Sequence, residues 1–350
     1  MVDADVFAQS SQLARLDAAA RAEVLANASR FALDTGQVLF RQGDVADALY
    51  ILESGRLAIE TRLPGDDSAA LSPILPGEVV GEFALLDDAP RSARVTASEP
   101  SNGLRISRAR FQALLADAQP GTVQLAASLR RLVAARTRAT LARIAAEGRY
   151  ELSSLRRAVP HPTPAVPVAG EAHTLVTGLG KLADLGADGA LALAAPSRMV
   201  GLERGRGLVR VHEDASDTLW PSTLWPDTLM PNTLWIVLRG ALRASLPRAD
   251  GAEQISIHGP GECVGVIALE DGGAPPLDLA AAEDCVLLGV PGDVLQPVLH
   301  PDATSASDWH GALALVLGRQ LVRDQRRANR HLGRALALER FNSAGTGVHA

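Results

Sequence analysis

Apolar residues recur along the chain with two different periods, and each change of period marks out an element. Over 10–29, Leu13, Leu16, Ala20, Val24 and Ala28 return at three- and four-residue steps, which predicts a helix with one apolar face. From 31 to 107 the period shortens. β-rich runs at 37–41, 48–54, 56–61, 71–75, 93–98 and 103–107 are punctuated by Gly36, Gly43, Gly55, Gly65 and Gly77. Short strands with regular turns predict a small antiparallel barrel or jelly roll. Helical spacing returns at 108–118 and again from Pro120 to about 148, where Leu125, Leu129, Leu132, Val133 and Ala139 form a stripe. Arg130, Arg131, Arg136, Arg138 and Arg143 of this second helix read as a solvated face.

The pattern then breaks and starts again. Pro160, Pro162, Pro164 and Pro167 favour an extended, semi-rigid linker over 151–170. This divides the chain into a first domain at 1–150, a second at 171–340 and a tail at 341–350. A weak, glycine-bearing helix is expected over 171–189. Beyond it the β pattern repeats. Residues 234–240, LWIVLRG, follow the pattern of 49–55, and 260–265, PGECVG, that of 76–81, at offsets of 184–185 residues. Running into the first of these anchors is a five-residue unit, DTLWP-STLWP-DTLMP-NTLW, over 217–235. Its prolines oppose a continuous helix or central strand, so it reads as a loop whose tryptophans pack on their own barrel or serve as interface anchors. The chain ends in a long helix over 305–340, with Leu313, Leu317, Leu321, Leu332 and Leu336 on one stripe and a basic middle at 323–330. The fold class is therefore mainly β with helices: two antiparallel jelly rolls, each flanked by α-helices.

A length of 350 residues fits two domains. With 47% apolar but 3% aromatic residues, the cores must be built mostly from Ala, Leu and Val. A net charge of −6 gives no overall attraction to nucleic acid or an anionic membrane. No run approaches the ~20 apolar residues of a membrane span, and the first ten residues lack the basic-then-apolar order of a signal peptide. Cys263 and Cys285 make no disulfide framework and read as small buried apolar residues. A cytoplasmic protein follows. Zinc-type Cys/His spacing, a Walker loop and a GxSxG elbow are all missing from the sequence, so neither a metal, a cofactor nor catalysis is expected.

The candidate chemistry lies in 76–97, PGEVVGEFALLDDAPRSARVTA. Gly81 allows a close backbone approach or a positive φ. Glu82 can accept hydrogen bonds from a sugar hydroxyl. Phe83 to Leu86 is one apolar helical turn, and Arg91 offers a planar fork suited to phosphate. Ser92 adds a hydroxyl. This stretch resembles the phosphate-binding cassette of cyclic-nucleotide-binding domains, the family of catabolite activators and protein kinase A regulatory subunits. The resemblance extends upstream through FRQGD at 40–44 and LYILESG at 49–55. It implies a jelly roll with the cassette as its helical insert, Glu82 on the ribose 2′-hydroxyl and Arg91 on the cyclic phosphate. Gly81, Phe83, Ala84, Ser92 and Ala93 would complete the cradle. The helix at 120–148 would act as a lid over the base and a homodimer seam, and one of its arginines could meet a purine. Family members use both cyclic AMP and cyclic GMP; the reading here leans to cyclic AMP.

In the second copy Val266 stands where the first has Glu82, and Pro275-Pro276 where it has Arg91-Ser92. No nucleotide contact carries over, and this copy reads as structural or partner-binding. The expected function is a cyclic-nucleotide sensor that signals to an effector protein. The alternatives are a scaffold with a relic site, or a DNA-binding regulator. The last lacks a helix-turn-helix after either barrel and has the wrong charge balance.

Overall fold

The computed structural model describes residues 7, 10, 12–62, 68–147, 166–167, 171–209, 232–248, 251–301 and 308–345. The chain forms two compact units, 1–132 with 300–322 and 133–299 with 323–350.

The first unit runs α1 (Ala18–Ala26), β1 (Ser29–Leu33), β2 (Val38–Phe40), β3 (Ala48–Ser54), β4 (Leu57–Arg62), β5 (Ser68–Ile74), β6 (Val79–Val80), α2 (Phe83–Leu86), β7 (Arg94–Ala97), β8 (Ser101–Ser107) and α3 (Arg108–Ala116), and enters α4 (Pro120–Glu147). Two antiparallel sheets, β1-β8-β3-β6 and β2-β7-β4-β5, enclose a core that includes Phe40, Tyr50, Leu52, Leu57 and Val95. Strands distant in sequence pair here, β3 with β8 and β4 with β7, as in a jelly roll.

The second unit contains β9 (Val166–Pro167), α5 (Ala172–Thr177), a 3₁₀ segment (Gly180–Leu185), α6 (Gly186–Ala194), β10 (Arg198–Leu202), β11 (Gly207–Val209), β12 (Thr233–Arg239), β13 (Leu242–Arg248), β14 (Gly251–His258), β15 (Cys263–Val264), α7 (Val266–Asp271), β16 (Asp278–Ala281), β17 (Cys285–Pro291) and α8 (Gly292–Leu299). The terminal helix α9 (Asp308–Gly345) has residues in both units. The sheets are β15-β12-β17-β10-β9 and β11-β16-β13-β14. The repeat holds in the register. Tyr50 of β3 pairs with Val80 of β6, and Trp235 of β12 pairs with Val264 of β15. Gly55 (φ +90°) and Gly240 (φ +80°) close the same turn. A Cβ would lie 2.4 Å from the Pro100 carbonyl oxygen at the first and 2.2 Å from that of Asp284 at the second.

Several elements differ from the sequence pattern. The helix expected over 10–29 begins only at Ala18. Asp17 caps it by accepting from the Ala20 N–H at 2.8 Å, and Ser10 accepts from the Leu13 N–H in the turn before it. Ser29 instead opens β1, a largely exposed strand recruited by pairing with β8. The weak helix over 171–189 divides into α5, the 3₁₀ segment and the start of α6, with Gly186 at φ +62° between the last two. The arginines of α4 are not one solvated face. Residues 121–130 are buried all round, Arg130 is 0% exposed, and only Arg143 among the five is exposed. Val166–Pro167 forms a strand against β10, while 151–165 and 168–170 of the expected linker lie outside the described residues. So does 217–231 of the tryptophan repeat. Its last tryptophan, Trp235, is a buried strand residue at 1% exposure.

Candidate functional site

The site stretch folds around Gly81. Strand β6 ends at Val80, Gly81 turns at φ +79°, Glu82 takes the N-cap position, and Phe83–Leu86 forms α2. A Cβ on Gly81 would lie 2.5 Å from Arg91 Nη1 and 3.2 Å from the Ala48 carbonyl oxygen, so the missing side chain makes room for the guanidinium. Ala84, Leu85 and Leu86 are buried and anchor the turn; Phe83 is half-buried.

The Arg91 backbone is pinned on both sides. Its N–H donates to the Asp44 carbonyl at 2.9 Å, and its carbonyl accepts from Gly43 N–H at 3.0 Å. Its side chain, 2% exposed, donates through Nη1 to the Gly81 carbonyl at 3.4 Å and through Nη2 to Asp47 Oδ1 at 3.1 Å. The guanidinium carbon lies 4.1 Å from the Phe40 ring centroid and 5.7 Å from that of Tyr50, a cation–π arrangement. Nε is buried with no hydrogen-bond acceptor among the described residues. Burial pulls the Arg91 pKa down, while Tyr50, Asp47 and Glu82 oppose that pull. It remains a cation at neutral pH. Burial pushes the Asp47 carboxyl up, but the Arg105 hydrogen bond (Nη2 to Oδ2, 2.7 Å) and the charges of Arg105 and Arg91 hold it below the usual carboxylate range.

The structure thus brings Gly81 and Arg91 into contact and buries Glu82, Ala84 and Ala93. Ser92 is exposed; its carbonyl accepts from Thr61 Oγ1 at 3.4 Å. Asp47, the carboxylate partner of Arg91, was not among the sequence candidates. It stands 44 positions away in a polar loop, and no local spacing links the two. A phosphate fits this chemistry: a buried guanidinium with an unfilled Nε donor, beside a glycine whose Cβ would occupy the space.

The corresponding place in the second barrel has no such pair. Val266 is 2% exposed at the start of α7, and Pro275 and Pro276 replace the arginine and serine. Charge gathers instead at Glu262, 4% exposed. It accepts from Lys181 Nζ at 2.9 Å and from Arg327 Nη2 at 2.9 and 3.0 Å, with His258 Nδ1 at 3.3 Å. The basic middle of α9 is therefore neither a plain solvated face nor a free basic surface, because Arg327 faces the barrel. Arg138 of α4 likewise pairs with Asp271 of α7 and donates to the Ala274 carbonyl at 3.0 Å.

A model of the cyclic nucleotide-binding domain matches two regions, 30–118 and 226–302. Each barrel carries a match to the cyclic nucleotide-binding domain family. The acetyltransferase Pat of Mycolicibacterium smegmatis is 43% identical over 82 residues, 23% of this chain and 24% of that protein. A cAMP-dependent protein kinase regulatory subunit of Dictyostelium discoideum is 38% identical over 82 residues, 23% of this chain and 25% of its own length. The chain thus spans about a quarter of the length of these curated relatives. The solved regulatory domain of Toxoplasma gondii PKA with cAMP aligns over 85% of this chain and 90% of its own at 18% identity, with a TM-score of 0.32. The jelly-roll assignment stands on the strand pairings of each barrel. Proteins named for an enzymatic activity are among the relatives, so the domain type alone does not set the activity of a whole chain. Among the described residues no helix is long and apolar enough to cross a membrane.

Proposed function

We propose that this chain is a cytoplasmic, non-enzymatic regulator that binds one cyclic mononucleotide, cyclic AMP in preference to cyclic GMP, in its first barrel. Arg91 carries the reading: a buried guanidinium with an unfilled Nε donor against Gly81, beside a second barrel with proline at the same place. In this reading the cyclic phosphate accepts from Arg91, and the Glu82 carboxylate takes the ribose 2′-hydroxyl. Gly81, Phe83, Ala84, Ser92 and Ala93 shape the cradle. The anion competes with Asp47 for the guanidinium, and Asp47 keeps Arg105 as its remaining partner.

Occupancy is passed to an effector protein through re-docking of α4, by differential affinity for two positions of that helix. A homodimer through 120–148 would have to use residues beyond 130, because 121–130 are buried within the chain. The second reading, a scaffold with a relic site, is favoured by one observation: Arg91 is already paired and almost closed off. Calorimetric titration with cyclic AMP and cyclic GMP, beside Arg91→Ala, separates the two. The sensor requires one site per chain, weakened at least ~10-fold in the variant, since a hydrogen bond to a charged group contributes roughly 1.5–3 kcal/mol. No binding to the wild-type chain would leave the scaffold.

A further inference from the structure

The second barrel retains a cleft at the place where its cassette has lost the polar pair. Trp235 of β12, Val264 of β15, Val266 and Ala268 of α7 and Pro275–Pro276 wall a cavity of about 60 Å³. Val266, Pro275 and Pro276 are the residues that replace the carboxylate and guanidinium, so the charged groups are gone and the cavity remains. One water needs roughly 10–15 Å³ of such space and a benzene ring about 150 Å³, so this cleft suits a body of a few heavy atoms.

The polar end of the cleft sets the ligand chemistry. Ser256 and His258 of β14 line it, joined by a 2.9 Å hydrogen bond between Ser256 Oγ and His258 Nε2, and Asp324 of α9 stands beside them. Among the described residues no lysine or arginine lines the cleft. The nearby cations are committed to carboxylates: Arg327 to Glu262 and, at 3.2 Å, to Asp324, and Lys181 to Glu262. An anionic head would meet the Asp324 carboxylate without a cation in the lining, whereas a hydroxyl donor would meet acceptors.

We propose that the second barrel is a binding site for a small uncharged molecule of a few heavy atoms, with an apolar body and a hydroxyl donor directed at the Ser256–His258–Asp324 end. Thr137 and Leu141 of α4 and Asp324 of α9 also line the cleft, so such a ligand touches both long helices as well as the barrel. This site is separate from the nucleotide reading of the first barrel and does not depend on it.

The test uses the full-length chain with 2,2,2-trifluoroethanol as probe and trifluoroacetate as its anionic counterpart, read by ¹⁹F NMR line broadening. The alcohol should bind saturably, at least ~10-fold more tightly than the acid, and excess cyclic AMP should not displace it. Ala268→Phe, which fills the cleft from α7, should weaken the alcohol at least ~10-fold. Val266→Leu is a milder filling should the first variant fail to fold, and should weaken it at least ~3-fold. Absence of saturable binding, equal binding of the acid, displacement by cyclic AMP, or full binding to a folded cleft-filling variant would each overturn the proposal.

Discussion

Replacing Glu262 by Gln should destabilise the second unit by about 2–4 kcal/mol at neutral pH. Removing one partner of a buried ion pair typically costs about 3–5 kcal/mol, because the remaining charge stays in the interior without its counter-charge. Here the Glu262 side chain is 6% exposed and the Arg327 side chain 18%, and Arg327 keeps Asp324 at 3.2 Å, so that pair retains only part of the penalty. Lys181 is 42% exposed, and solvent screens its share to about 0–1 kcal/mol. Gln can still accept a hydrogen bond, which lowers the total below that for Ala. The effect also has a pH signature. Burial alone would push the Glu262 carboxyl up, but hydrogen bonds from His258, Lys181 and Arg327 and the Arg327 charge outweigh it and hold the pKa well below its ordinary 4.5. A depressed carboxylate contributes its stability above the unfolded-state pKa and loses it as pH falls from there towards the folded value. The gap between wild type and Glu262→Gln should be full at pH 6–7 and shrink progressively below about 4.5. Amide hydrogen exchange of β12 and β17, read by mass spectrometry from pH 3 to 7, reports the opening of this unit itself. A gap under ~0.5 kcal/mol at pH 7, or one of equal size at pH 3, would refute the assignment of Glu262 as the buried anchor of α9.

Other perturbations test the rest of the structure. Gly81→Ala places a Cβ 2.5 Å from Arg91 Nη1 at φ +79°, so it should cost about 1–2 kcal/mol in thermal unfolding and weaken cyclic-nucleotide binding by more than ~10-fold. Unchanged affinity would show that Arg91 tolerates displacement. Gly55→Ala and Gly240→Ala should each cost about 2 kcal/mol or more in denaturant unfolding, because the new Cβ meets a backbone carbonyl 2.4 Å and 2.2 Å away and φ is positive at both. A large effect in one barrel and none in the other would break the structural equivalence of the two turns. Burial pushes the Cys263 thiol up to about 12 and also raises that of Cys285, so neither should react with a thiol reagent at pH 8 in the native chain, and both should do so in denaturant. Rapid native labelling would contradict their burial.

Much of the architecture is local, and local chemistry was readable. The span of β3 and the turn of α2 agree with the sequence pattern to the residue, because alternating apolar runs and a four-residue apolar turn bounded by Gly-Glu and Asp-Asp depend on near neighbours. The repeat, and the loss of the carboxylate and guanidinium from its second copy, were equally legible, since a substitution to Val or Pro removes the chemistry wherever the chain goes. What the sequence could not disclose is which distant groups meet. Arg91 finds Asp47 across 44 positions, and Glu262 collects Lys181 and Arg327 from 81 and 65 positions away. Strand β1 fell between the expected helix, which took in Ser29, and the first expected β run at 37–41, and only pairing with β8 defines it. Arg130 looked like surface until the first half of α4 was buried on every side. The sequence by itself determined two jelly rolls, one that carries the Glu82 and Arg91 pair and one that has Val266 and Pro275 in its place. Only the tertiary structure decided that Arg91 rests on the Asp47 carboxylate and that the second barrel keeps a cleft beside Val266 and Pro275, because charge pairing and packing depend on distances that sequence separation does not encode.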